Sequence, residues 1–386
     1  MRHHNTVFNQ ILKFIPRHTF QTTVDRHNGD HRTRSLTCWD QMLALIFYQL
    51  TQRQSLRDLC ECFNSKSAHH YHLGTQAIKR SSLSDANRDR PVEIYQETFY
   101  YLLEKVRDKL PKKDAKEMVR LIDSTTIDLN LNQFQWAEFR STKAGIKLHT
   151  VYDPHAEVPV FFSMTTAKVN DRKALDKLPI MPGATYVVDR AYDDYAWYYS
   201  LSLQDSRFVG RMKKSAVYDV VEERAAKGEG IIADEVIRFS AKKAQKDCPI
   251  ALRRITFFRE EDQKTLVFIS NDLNCSAEEI ASLYKQRWQI ELFFKWIKQN
   301  LKIKKFIGRS ENAVLIQVLT AMIAYLLLKL VQLAGSFPQS LQQISRLVGV
   351  NLTSRRSISS VFEPDTERSS GDFPDPNRMQ MEINYF

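Results

Sequence analysis

Cysteine is scarce in this chain: five residues in 386, at positions 38, 60, 62, 248 and 275. The count is odd and no Cys-x-x-Cys pair occurs, so neither a disulfide framework nor a zinc knuckle is indicated. A reducing compartment is expected. The N-terminal MRHHNTVFNQ lacks the apolar core that a signal peptide needs, and no repeat of fixed period is visible. One run has the length of a membrane span, Val314–Ala334, but Gln317, Lys329 and Gln332 interrupt it. Its flanks carry no charges arranged to set a topology, so a helix buried in a protein core is expected and no membrane partner.

What is present is an ordinary globular balance, 43% hydrophobic and 26% charged, in a chain long enough for roughly two to three domains. Lys and Arg exceed Asp and Glu by 56 to 45, a formal net charge of +11. Such a surplus points to a polyanion, nucleic acid before membrane. Residues 1–113 carry 18 basic and 11 acidic side chains, 114–200 carry 10 and 12, 201–283 carry 14 of each, and 284–386 carry 14 and 8. Two basic ends thus flank a carboxylate-rich middle, which a nucleic-acid surface tolerates if a divalent metal neutralises it.

Residues 1–113 have helical periodicity. Trp39–Leu50 is an apolar helix opened by Ser35 or Thr37, and Ser55–Phe63 is a second with N-cap character at Ser55 and Asp58. Arg53 and Arg57 at the start of the second helix suit a helix-turn-helix DNA reader, with two merely packed helices as the alternative. Ser81–Pro91 is expected as a capped turn entering a helix over Val92–Leu110, and His69, His70 and His72 as a surface loop. In residues 114–200 the period changes. Met118–Leu131 has the character of a strand pair, IKLHTVYD and EVPVFFSMTTAKV are strands joined near Asp153 and Pro154, and a helical stretch around Lys173 leads to ATYVVDRAY. Three antiparallel strands, then helix, strand and helix, is the order of a ribonuclease H-like α/β core. The expected fold is therefore a mixed sheet flanked by helices, interrupted over 201–283 by a β-rich insertion. It resumes over 284–350, beginning in a long amphipathic helix from Ala277 to Asn300. Residues 351–386 are expected to be a loosely ordered tail.

Three acidic residues have placements suited to metal chemistry: Asp123 within LIDST, Asp189 at the end of YVVDR, and Glu291 in the amphipathic helix. A strand-end carboxylate is costly to bury unless paired or metal-bound. Two Mg²⁺ ions about 4 Å apart, held by carboxylates, can activate a nucleophile and stabilise a leaving oxygen. At a helical step of about 100° per residue, Tyr284, Arg287, Glu291 and Lys298 share an arc of about 60°, bordered by Trp288 and Lys295. From Lys285 to Arg309 eight basic residues stand against Glu291 alone. A solvated basic helix with i,i+4 pairs such as Glu291 with Arg287 or Lys295 is the plain alternative. Aromatics on the basic face instead suit phosphate clamps and base stacking. Lys143 and Lys147 are candidate backbone contacts or else solvated strand edges, and His149 is expected to be a satisfied strand histidine.

Tyr284, Arg287, Glu291 and Lys298 reproduce a Y-(2)-R-(3)-E-(6)-K signature, and with the DST at Asp123 and the DRAY at Asp189 the chain resembles the insertion-sequence 4 family of DDE transposases. KLHTVYD with Asn170-Asp171 beyond it is similar to that family's pattern as well. The resemblance, over about residues 5 to 335, implies a ribonuclease H-like catalytic core and cut-and-paste transposition. It implies two Mg²⁺, with Mn²⁺ as substitute, on Asp123, Asp189 and Glu291, and phosphate contacts from Tyr284, Arg287 and Lys298. Further DNA contacts are expected from Trp288, Lys295, Lys147, Arg53 and Arg57. The implied partners are the element's terminal inverted repeats, target DNA and a second subunit, in the bacterial cytoplasm at the nucleoid. A metal-dependent nuclease without strand transfer, or a DNA-binding repressor, remains an alternative. Some relatives pass through a DNA hairpin aided by a tryptophan in the insertion; residues 201–283 contain none, leaving Trp288, Phe257 or Phe258 as stacking candidates.

Overall fold

A computed structural model of the chain describes residues 5–363. Its centre is a ten-stranded sheet: β1 (Val119–Leu129), β2 (Glu138–Arg140), β3 (Lys143–Asp153), β4 (Val158–Thr166), β5 (Thr185–Val188), β6 (Arg207–Arg211), β7 (Tyr218–Arg224), β8 (Ile231–Phe239), β9 (Leu252–Arg259) and β10 (Lys264–Ser270). β1, β3 and β4 pair antiparallel in succession, β5 lies parallel to β1, and β6 parallel to β5. This is the expected ribonuclease H-like order. Met118–Leu131, expected as a strand pair, is one unbroken strand. Its first half is buried on both faces at Arg120, Leu121 and Ile122, and its second half alternates, with Thr125 and Ile127 inward.

The sheet does not stop where the core does. β6, grouped with the insertion on sequence, hydrogen-bonds to β5 and completes the core, and β10, β9, β8 and β7 continue antiparallel from it in one sheet. On one face lies the short Tyr195–Leu203 helix, whose Tyr198 stacks on Phe208 of β6 at 4.1 Å. On the other face lie the Ala277–Gln286, Trp288–Asn300 and Glu311–Gly335 helices.

The Glu311–Gly335 helix is long and apolar enough to cross a membrane, but 94% of its most apolar stretch is buried inside the protein. The N-terminal helices supply that cover. Cys38–Thr51, opened by a Thr37–Asp40 capping box, buries every residue from Cys38 to Leu50. It and Glu93–Arg107 share one continuous apolar cluster with the Trp288–Asn300 and Glu311–Gly335 helices. The N-terminal block therefore has no core of its own. Arg80–Asp89, expected as a turn, is a helix. His70, expected in a surface loop, is buried, stacked on Phe63 at 4.9 Å and bonded through Nε2 to its carbonyl at 3.0 Å.

The tail is ordered further than its composition implied. The Val7 and Phe8 amides donate to Ser354 and Leu352 carbonyls at 3.1 and 2.8 Å, and Phe362 packs on Phe337 at 4.4 Å. The rest of the expected loose tail, 364–386, lies outside the described residues.

Candidate active site

Strand register brings the two aspartates together. Ile122 of β1 pairs with Val188 of β5, so the next residue of each strand, Asp123 and Asp189, sits at the carboxyl end of the parallel pairing. That edge is where open α/β sheets place their ligands. Glu291 comes from above. A Ser276–Glu279 capping box starts the Ala277–Gln286 helix, and a second helix, Trp288–Asn300, follows. The single helix expected over 277–300 is broken at Arg287, where the Arg287 and Ile290 amides bond back only three residues, to Tyr284 and Arg287.

This tight turn aims three signature side chains into the site. The Tyr284 hydroxyl donates to Asp189 Oδ1 at 3.2 Å; burial pushes its phenol up to about 12, so it keeps the proton. Arg287 forks: Nη1 donates to Asp123 Oδ2 at 3.0 Å and Nη2 to Glu291 Oε1 at 2.5 Å. The i,i+4 pair of the plain alternative is thus formed, but the other half of the guanidinium ties the helix to β1. Asp123 is pushed up to about 6, foremost by burial, with Asp189 and Glu291 adding to the rise; the Ser124 amide, at 2.8 Å, and Arg287 oppose it. Lys298 Nζ donates to the Thr126 carbonyl at 2.9 Å. With Lys295 and Lys304 it lines a groove that also holds Asp123 and Glu291. Trp288 is 59% exposed beside the site. A second groove on the Asp189 side is lined by Arg190, Arg211, Lys213 and Lys214, whose only signal in the sequence is charge.

Beneath Asp123 lies a polar cluster centred on Asp171, which the sequence shows only as half of an Asn170-Asp171 pair. Asp171 accepts from Ser124 Oγ at 2.8 Å and Lys147 Nζ at 3.2 Å. His149, fully buried, bonds Thr165 Oγ1 through Nε2 at 2.9 Å and lies 3.5 Å from Asp171 through Nδ1. Burial pushes this histidine down to about 4. It is the satisfied strand histidine expected.

Two expected DNA contacts are engaged elsewhere. Lys147 turns its ammonium inward, to Asp171 and to the Val169 carbonyl at 3.1 Å. Arg53 closes on the Thr51 carbonyl at 3.0 Å and Cys62 Sγ at 3.1 Å, with Asp58 at 3.7 Å. Arg57 is exposed on the first turn of the Leu56–Asn64 helix. Phe257 packs on Phe268 at 5.9 Å within the sheet core rather than standing free to stack.

Among the described residues no three carboxylate, histidine or cysteine side chains converge closely enough to hold an ion as they stand; the Arg287 fork joins Asp123 to Glu291. The donor set nonetheless fits a hard divalent cation. All its donors are carboxylate oxygens, and beside burial the neighbouring Asp189 and Glu291 charges add to the rise at Asp123, a repulsion that a cation relieves.

Residues 114–327 match the family model described as a transposase DDE domain. The chain belongs to the transposase DDE-domain family. Residues 3–76 of this transposase match a second model, a domain of unknown function. It is 38% identical to a protein of Sinorhizobium fredii named as the transposase y4zB, over 78% of this chain and 85% of that one. It is 26% identical to a protein of Geobacillus stearothermophilus named as a transposase for insertion sequence element IS5377, over 85% of each chain. A Synechocystis protein named as a transposase for element IS4SA is 25% identical over 67% of this chain and 73% of that one. The expected family and the expected DNA transposase function both stand.

Proposed function

We propose that this transposase works by cut-and-paste, with Asp123, Asp189 and Glu291 as its catalytic carboxylates. The observation that carries the reading is the convergence of two aspartates, set side by side by register at the carboxyl end of the parallel pairing, on a glutamate joined to one of them through Arg287. The three carboxylates would hold two Mg²⁺, or Mn²⁺ in substitution. Ions bound there supply an activated water and a stabilised leaving oxygen for in-line phosphoryl transfer.

The chain's own residues do the positioning. Tyr284 orients Asp189, and Arg287 keeps Asp123 and Glu291 in register across the helix–sheet gap. Were those two carboxylates to hold metal instead, the Arg287 guanidinium would be free to bind a phosphate through both nitrogens. Lys298 and Lys295 line the groove beside the carboxylates, where a DNA strand would lie, and Trp288 offers a ring to an unstacked base. Hydrolysis at an element end breaks a P–O bond and leaves a 3′-hydroxyl; that hydroxyl then attacks a target phosphodiester, displacing its 3′ oxygen. Two subunits, each holding an element end in the bacterial cytoplasm, would synapse the substrates.

The test is cleavage and strand transfer with Mg²⁺, wild type against Glu291→Ala. The variant is expected to bind end DNA as the wild type does and to lose cleavage by at least about a thousandfold. Retained cleavage sinks the site assignment. Cleavage without joining by the wild type favours a nuclease.

A further inference from the structure

Two buried amides are unexplained by the site described so far. Gln317 is 1% exposed on the apolar Glu311–Gly335 helix, and Gln49 is 0% exposed on the Cys38–Thr51 helix packed against it. A buried amide without partners is costly. Both are spent on one irregular stretch, the segment that leaves the Trp288–Asn300 helix. Gln317 Nε2 donates to the Lys302 and Lys305 carbonyls at 2.6 and 2.8 Å, and its Oε1 accepts from the Ile307 amide at 3.0 Å. Gln49 Oε1 accepts from the Lys302 amide at 2.7 Å, and its Nε2 donates to the Gln317 carbonyl at 3.4 Å. Further along, the Arg309 carbonyl accepts from Trp136 Nε1 at 2.8 Å.

The clamp fixes which side of the segment faces out. Its backbone polar groups turn inward to the amides, Leu301 and Ile303 are buried in the core, and Lys304, Lys305 and Arg309 stand exposed. No acidic residue occurs from Lys298 to Arg309. Among the described residues none of the five cations in that stretch forms an ion pair. Lys304 lines the same groove as Asp123 and Glu291. Burial and then the Lys305 charge hold Lys302 below its ordinary value, and burial and then Lys304 do the same to Lys298. Like charges are thus crowded on a rigid scaffold, and a polyanion relieves the repulsion. A loop fixed in advance also binds without the entropic cost of ordering.

We propose that Leu301–Arg309 is a preorganised binding loop for the DNA sugar–phosphate backbone, with Lys304 and Lys305 as phosphate contacts and Gln49 and Gln317 as positioning residues that hold it beside the carboxylates. The proposal rests on the transposase reading above.

It is tested by equilibrium binding of a DNA duplex of arbitrary sequence over a range of salt, in chelator so that no cutting intervenes. Lys304→Gln/Lys305→Gln, at two exposed positions that leave the fold intact, is expected to weaken binding about tenfold, alike for unrelated sequences. It is also expected to reduce the slope of log affinity against log salt by about 1.8, the share of two phosphates. Gln317→Met keeps the lysines but not the clamp; affinity falls, trypsin gains access to the loop, and adding the lysine changes lowers affinity little further. An unchanged slope in the lysine variant overturns the loop. Fully additive losses overturn the role of Gln317. A wild type that binds no duplex at any salt overturns the transposase reading itself, a result distinct from both.

Discussion

Arg287 carries the bland and the functional interpretation of its helix at once. Its pair with Glu291 is the ordinary i,i+4 ion pair of a basic helix, and the second bond, to Asp123, exists only because the chain tightens at Arg287 and brings the guanidinium over β1. Burial also gives His149 a measurable consequence. Its folded value of about 4 lies below its ordinary 6.5 because burial disfavours the charged ring. A base depressed in the folded state is protonated first in the unfolded chain. Its contribution to stability is therefore whole above about 6.5 and is lost as pH falls toward 4. Between about pH 7 and about pH 5 the loss amounts to about 2 kcal/mol. His149→Gln should be less stable than wild type at neutral pH and lose less on acidification, as read from urea unfolding at several pH values. Asp123, raised by burial, contributes a slope of opposite sign in both proteins, so the difference between them isolates the histidine. Parallel curves for the two proteins refute this account.

At the scale of elements, the insertion is held together by more than its ladder. Asp234 of β8 and Arg253 of β9, 4% and 5% exposed, form a two-pronged ion pair at 2.8 and 2.6 Å. Taking one partner away strands a buried charge, whereas replacing both by apolar groups does not. Asp234→Ala is expected to cost about 3–5 kcal/mol, and Asp234→Leu/Arg253→Met to stay near wild type, both measured by denaturant midpoints. A double variant as unstable as the single would show that the cost lies in packing. The same elements mark what the sequence discloses. β1, β3, β4 and β5 are legible because an inward residue recurs at every second position or the run is apolar throughout. β7 is not legible because the YDVVEER edge strand is exposed along most of its length and carries no inward face. The two aspartates are visible in the sequence, but their adjacency is not, since it depends on which residue of β5 pairs with Ile122. Nor does any residue announce the break at Arg287, or that Lys147 and Arg53 would spend their charge on the protein's own groups. Periodicity reports burial and not partner.

For the molecule as a whole, the basic N-terminal block and the carboxylate-bearing core are one body. The helix that most resembles a membrane span is apolar all round because it is covered all round, in part by Cys38–Thr51, Arg80–Asp89 and Glu93–Arg107. A DNA-reading module on a linker would leave the catalytic core able to fold alone, with an interface mainly polar. Here the contact is the core itself, Met42, Leu45, Ile46 and Leu102 lying in the same cluster as Ile323 and Leu327. Removal of residues 1–113 would uncover a wide apolar face of the Glu311–Gly335 helix and strip Gln317 of its neighbour Gln49, a patch larger than soluble chains tolerate. A fragment spanning 114–363, although it contains Asp123, Asp189 and Glu291, is expected to aggregate or to lack a cooperative thermal transition. Size-exclusion chromatography and circular dichroism decide it. A monomeric fragment that melts cooperatively would mean that the N-terminal helices are a separable module, and the positive charge they carry would then belong to a domain that moves independently of the carboxylates.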